Sequence, residues 1–206
     1  MALCRQSRLY MGSCQIPDES QHENRVCCGN GGTGAMIVAQ IMEKMIAFSN
    51  GDIHDIDHLI RVWTYAKTIG ELESLDQQTQ EVLEIAAITH DIACPLCREK
   101  YGNTNGRHQE TEGALMVRDF LTGTGMTERQ VDRVSFLVGH HHTLTGIDGM
   151  DHQILVEADY IANAAENGYS KENITNFMAG IMKTQSGKRL LAAVSGLWST
   201  FSGFGR

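Results

Sequence analysis

Proline is scarce, at 2 of 206 residues, and no run alternates β-branched with polar side chains. Both facts favour helix over sheet, because little interrupts helical hydrogen bonding and nothing reads as a half-buried strand. Long apolar runs are missing too. No stretch approaches the roughly 20 residues needed to cross a bilayer, which excludes a membrane-spanning helix. Arg5 and Arg8 are not followed by an apolar segment, so no secretory leader is read. The protein is therefore expected in the cytoplasm, with its 6 Cys reduced. Basic clusters are also absent: 17 Lys and Arg stand against 25 Asp and Glu, for a formal net charge of -8. That disfavours binding a nucleic-acid duplex through a phosphate-neutralising patch. An acidic protein can still take a nucleotide if a metal ion supplies the positive charge locally.

Hydrophobic residues make up 42% of the chain, enough for one globular domain with a sizeable core. Residues 1–32 are set apart as an irregular tail. Gln15 to Asn24 is polar and Gly29-Asn30-Gly31-Gly32 is flexible in composition, so truncation there is expected to spare the fold. Residues 33–206 are expected to form the helical domain. Cys4, Cys14, Cys27 and Cys28 have no zinc-like pair spacing. Cys94-Pro95-Leu96-Cys97 has the C-x-x-C form but no second pair downstream and no βαβ surroundings, so it reads as packing.

Apolar periodicity predicts eight helices. The first begins at Thr33 and ends at Asn50-Gly51. The second follows a cap at Asp55 or Asp57, carries Leu59, Val62, Trp63, Ala66 and Ile69 on one face, and stops at Gly70. The third contains Val82 to Ile88 and ends at His90-Asp91. Residues 98–107 read as a polar loop, a candidate rim or lid. A fourth helix spans about Gln109 to Leu121. A fifth starts at Thr127, whose pairing with Gln130 suggests a capping box, and terminates in Gly139-His140-His141-His142. The sixth holds Ile154 to Ala162, and the last two run over about 171–182 and 187–201. No internal repeat is visible.

The chemistry-bearing residues fall on separate helices: His58, then His90-Asp91 32 residues on, then Asp159 a further 68 on. Asp159 sits beside an apolar stripe, where a carboxylate needs a partner because desolvating it alone is expensive. Two His and two Asp meeting inside a helical bundle make a plausible cage for a divalent cation such as Fe, Mn, Co, Ni or Zn. His54, four residues before His58, precedes the expected cap and carries less weight.

The order H…HD…D resembles the HD-domain superfamily of metal-dependent phosphohydrolases. His58-Leu59-Ile60-Arg61-Val62 is similar to that family's first-helix motif, Ala87-Ile88-Thr89-His90-Asp91-Ile92 to its HD signature, and Leu155-Val156-Glu157-Ala158-Asp159 to its final-ligand helix. The resemblance spans about residues 35–190. It implies an all-α bundle with a central metal held by His58, His90, Asp91 and Asp159. It leaves the substrate open among mono-, di- and cyclic phosphates. Where many nucleotidase members carry Glu three residues after the HD Asp, this chain has Cys94. Binuclear members add two His between the HD pair and the last Asp. His108 lies five residues before Gly113, one more than in similar members, so one tightly held ion is expected.

The resulting expectation is hydrolysis of a small phosphate ester, with a nucleotide the favoured substrate. A metal-bound hydroxide is the attacking group and Asp91 orients it. Arg61 and His140 or His141 would stabilise phosphoryl oxygens, with a salt bridge from Arg61 to Asp57 or Asp91 as the plainer alternative. The rival reading is a non-catalytic nucleotide- or partner-binding module that keeps a structural metal. Di-iron oxygenase chemistry stands third. The sequence assigns no oligomeric state.

Overall fold

The computed structural model describes residues 34–197. The tail expected over residues 1–32 and the far end of the last predicted helix lie outside the described residues. Among these there are nine helices and no strand: α1 (Gly34–Phe48), α2 (Ile53–Leu72), α3 (Gln77–Thr89), α4 (Cys94–Tyr101), α5 (Gly106–Leu121), α6 (Glu128–Val138), α7 (Gly149–Glu166), α8 (Lys171–Gly180) and α9 (Gln185–Val194). None is long and apolar enough to cross a membrane.

The bundle is built around α3. Every residue from Val82 to Thr89 is buried, because this helix is apolar on all sides and must be covered all round. Helices α1, α2, α6 and α7 pack against it. Full burial of Leu83, Ile85 and Ile88 contributes about 2 kcal/mol each. Glu84, the one charged residue in that stretch, is satisfied by Trp63 Nε1 at 2.9 Å, Lys67 Nζ at 3.0 Å and Gln80 Nε2 at 2.9 Å. The other buried helix, α7, packs against α2, α3 and α9, and α5 pairs with α6.

Several boundaries differ from the sequence reading. The cap of α2 is Asp52, whose Oδ1 accepts from His54 N at 3.1 Å and Asp55 N at 3.2 Å. Asp55 therefore lies in the first turn of α2, and His54 is helical but exposed. Gly70 does not stop α2. It is buried within the helix, where a Cβ would collide with the Gln80 side chain of α3, so its smallness serves a close helix contact. The loop expected over residues 98–107 is mostly helix: Pro95 in the first turn starts α4 and Gly102, at φ +69°, ends it. Helix α5 then begins at Gly106 behind an Asn105 cap. The capping box at Thr127 and Gln130 is present in both halves.

Candidate metal centre

Three helix termini or faces deliver the four expected donors to one place. His58 comes from the inner face of α2, His90 is the C-cap of α3, Asp91 follows it in the turn, and Asp159 comes from the middle of α7. His58 Nε2 lies 3.2 Å from His90 Nε2, 3.3 Å from Asp159 Oδ1 and 3.6 Å from Asp91 Oδ2. His90 Nε2 lies 3.5 Å from Asp91 Oδ2 and 3.6 Å from Asp159 Oδ1. His58, His90 and Asp159 are buried; Asp91 is partly exposed.

Hydrogen bonds fix the imidazole tautomers. His58 Nδ1 is 2.9 Å from Glu166 Oε2, His90 Nδ1 is 2.9 Å from Ala87 O, and His141 Nδ1 is 2.7 Å from Val138 O. Carbonyls and carboxylates only accept, so each Nδ1 carries the hydrogen and each neutral ring turns its Nε2 lone pair inward. Lone pairs and carboxylates facing one another at such distances repel unless a cation lies among them. Donors held about 2.1 Å from one ion in tetrahedral or octahedral directions sit roughly 3.0 to 3.4 Å apart. The pairs of His58 with His90 and Asp159, at 3.2 and 3.3 Å, match that spacing, and His58, His90 and Asp159 form one group able to hold a divalent ion, with Asp91 Oδ2 beside it at 3.5 to 3.6 Å.

Titration follows the same logic. Burial pulls the His58 imidazole down, but the close approach of Asp159 and the charges of Asp91, Asp159 and Glu166 outweigh it and push it up to about 9. Burial likewise works to raise Asp159 and Asp91. The close approach of Asp159 to His58 and His90, and of Asp91 to His90 and His141, overcomes it and holds both carboxyls well below their usual range.

A second group of donors adjoins the first. Asp91, His141 and His142 bring ligand atoms within 4.8 Å of one another. Asp91 Oδ1 and His141 Nε2 face each other at 3.5 Å, both buried and neither hydrogen-bonded. Gln109 Nε2 donates to Thr104 O at 2.8 Å, so its Oε1, 2.8 Å from His142 Nε2, accepts from that ring. His142 thus keeps its lone pair on Nδ1. Burial lowers its pKa to about 4, so it is neutral and able to ligate near pH 7. Gly106 permits this placement, since a Cβ there would come within 2.8 Å of the His142 ring.

The remaining candidates separate. His140 does not join the cluster: its ring stacks on Phe136 at 4.2 Å and its Nδ1 donates to Phe136 O at 2.7 Å. Arg61 pairs with Glu166, at 3.3 Å, in place of the Asp57 or Asp91 partner considered from sequence. His108 stacks on Tyr101 at 3.9 Å, with its Nδ1 buried and unpartnered. Cys94 and Cys97 are free and buried, and burial together with the charges of Asp91 and Asp55 pushes the Cys94 thiol up, so it stays protonated. Two contributors were not anticipated. Glu166 orients His58, and Asn163 Nδ2 donates to Asp159 Oδ1 at 2.7 Å. Their signal lay in the spacing: Asp159, Asn163 and Glu166 stand at i, i+4 and i+7, on one face of α7.

A helical bundle with buried His and Asp converging from separate helices defines a candidate metalloprotein. A family model for the HD domain matches residues 55–167 of this chain, which therefore belongs to the HD-domain family. The fold is shared with a predicted HD superfamily hydrolase from an uncultured Thermotogales bacterium: 22% identity, 80% of this chain and 88% of that one covered, TM-score 0.56. It is shared equally with YpgQ of Bacillus subtilis, solved in complex with ADP: 19% identity, 82% and 93% covered, TM-score 0.56. No curated protein matches the chain.

Proposed function

We propose that the protein is a metal-dependent phosphohydrolase acting on a small phosphate ester, with a nucleotide as the favoured substrate. The observation that carries the reading is the convergence of His58 Nε2, His90 Nε2, Asp91 Oδ2 and Asp159 Oδ1 as lone-pair donors. A divalent ion held there supplies Lewis acidity and lowers the pKa of a coordinated water towards ~7. The presence of ADP in the YpgQ structure supports a nucleotide, by analogy of fold.

The chain's own residues divide the remaining work. Asp91 is shared between the two groups: Oδ2 completes the four-donor position and Oδ1 faces His141. Asp91 Oδ1 and His141 Nε2 are acceptors without donors. At low metal concentration they orient a water by taking its hydrogens and offer a base for the proton lost on attack. At high metal concentration, with His142, they hold a second and weaker cation, since three donors bind less tightly than four. Arg61 is about half exposed at the rim, with its side chain held by Glu166, and its remaining donors can meet a phosphoryl oxygen.

A second reading, nucleotide binding without turnover, has one observation in its favour. Cys94 is a protonated thiol where many nucleotidases of this family have a Glu, so that acid or base is missing. Phosphate release from a panel of nucleoside mono- and diphosphates separates the two. The hydrolase reading expects release that needs added Mn²⁺ or Co²⁺ and vanishes in His58→Ala. Metal-loaded protein that binds these nucleotides but releases no phosphate from any of them points to the second reading.

A further inference from the structure

We propose that His152 is a positioning residue that sets where His141 and His142 stand relative to Asp159. His152 lies in the first half of α7 and is 1% exposed. Its Nδ1 accepts from Asp148 N at 3.1 Å. That donor fixes the tautomer: the ring hydrogen is on Nε2, which donates to His140 O at 3.0 Å. Burial holds the imidazole below its ordinary value, with the neighbouring His140 and Arg133 adding to the effect, so the ring is neutral and can do both at once.

The carbonyl it holds belongs to the residue immediately before His141, which is buried, and His142, which is exposed. That carbonyl lies just past the end of α6, where it closes the turn by accepting from Thr143 N at 2.9 Å, and His152 adds a second donor that ties this turn to α7. The ends of the α6–α7 connection are closed from the other side as well. Arg133 of α6 donates to Asp148 Oδ2 at 2.9 Å and Asp151 Oδ2 at 2.8 Å, and Asp151 Oδ1 accepts from His152 N at 2.9 Å. Asp159 is seven residues after His152 on the same rigid helix, two turns along one face. So α7 supplies a donor to the four-donor position and, through His152, fixes the turn that supplies donors to the three-donor position. His152 touches neither group of donor atoms. It acts through the backbone of His140.

The inference rests on the reading of Asp91, His141 and His142 as a weaker cation position, and the test separates the two. Metal-stripped full-length protein is titrated calorimetrically with Mn²⁺. The wild type is expected to show a tight and a weak event. In His152→Phe, which keeps a buried ring but no ring nitrogens, the weak event should weaken about 10-fold or more while the tight one changes less than about 2-fold. His152→Gln, which restores a donor near the Nε2 position, should recover most of the weak affinity. His140→Ala keeps the carbonyl and should leave both events as they are. A weak event unchanged in His152→Phe, or both events weakened alike with no recovery in His152→Gln, overturns the role of His152. A wild type with a single event contradicts the weak position itself, and with it the inference. If His152→Phe does not fold, the long-range ¹⁵N–¹H spectrum of the wild type decides. A neutral His152 protonated on Nε2 agrees with the proposal, and one protonated on Nδ1 overturns it.

Discussion

Glu166 Oε2 lies 2.9 Å from His58 Nδ1, and Glu166 Oε1 takes the Arg61 guanidinium at 3.3 Å. One carboxylate thus orients a proposed metal donor and tethers the cation at the rim. The hydrogen bond fixes the His58 tautomer and raises the basicity of Nε2. Glu166→Ala is expected to weaken metal binding about 10- to 100-fold, as loss of a hydrogen-bond partner behind a ligating imidazole does elsewhere. Competition with a chromophoric chelator measures it. Arg61→Ala should leave that affinity within about 2-fold and raise KM for a phosphate substrate. Metal affinity unchanged in Glu166→Ala contradicts the orienting role.

Removing the metal should make stability depend on pH in a defined way. The folded-state pKa of His58 is raised from 6.5 to about 9. Its contribution is therefore fully present below pH 6.5 and is lost as pH rises through about 9. Asp159 is lowered from 3.8, so its contribution is present above that value and is lost as pH falls below it. Chelator-treated protein should melt highest between about pH 4 and 6.5 and lose Tm towards pH 9.5. Metal-loaded protein should not show the alkaline loss, because the cation replaces the proton. Thermal melts with and without chelator at pH 5.5 and 9.5 check this, and equal Tm values for the stripped protein at both contradict it.

His141 and His140 should behave differently. His141 Nε2 faces Asp91 Oδ1, whereas the His140 ring rests on Phe136. His141→Ala is expected to lower turnover about 10- to 100-fold, the usual yield of a positioned acid or base. His140→Ala should cost about 1 kcal/mol of stability, for a lost stacking contact and a neutral hydrogen bond, with turnover close to wild type. Equal damage to turnover in both variants contradicts the assignment.

The sequence was informative where periodicity or residue type decided the outcome. The all-α class was readable from helical apolar stripes such as those of α2, α3 and α7, and the H…HD…D order, through its resemblance to a family pattern, singled out His58, His90, Asp91 and Asp159 as the proposed donors, which the fold brings close together. Helix α4 was missed because Arg98, Glu99, Lys100 and Tyr101 look like a polar loop. Tertiary contacts hold it instead, with Arg98 bonded to Asp55 at 3.1 Å and Lys100 to Glu112 at 2.6 Å. Gly70 reads as a helix stop in one dimension and proves to be a contact point in three. The choice among His140, His141 and His142 depends on the phase of one helix turn, which moves by about 100° per residue. No composition argument reaches that precision. Glu166 was within reach through its i+7 spacing from Asp159.

The central claim is a tight divalent cation held by His58, His90, Asp91 and Asp159. Elemental analysis of protein dialysed after loading, wild type beside Asp91→Ala, tests it most directly. Asp91 is chosen because its Oδ2 completes the four-donor group while its side chain is only partly buried, so the variant should still fold. The account predicts about one ion per chain in the wild type and almost none in the variant, with cooperative unfolding kept in both. Full metal occupancy in Asp91→Ala, or a wild type that retains none, would contradict it.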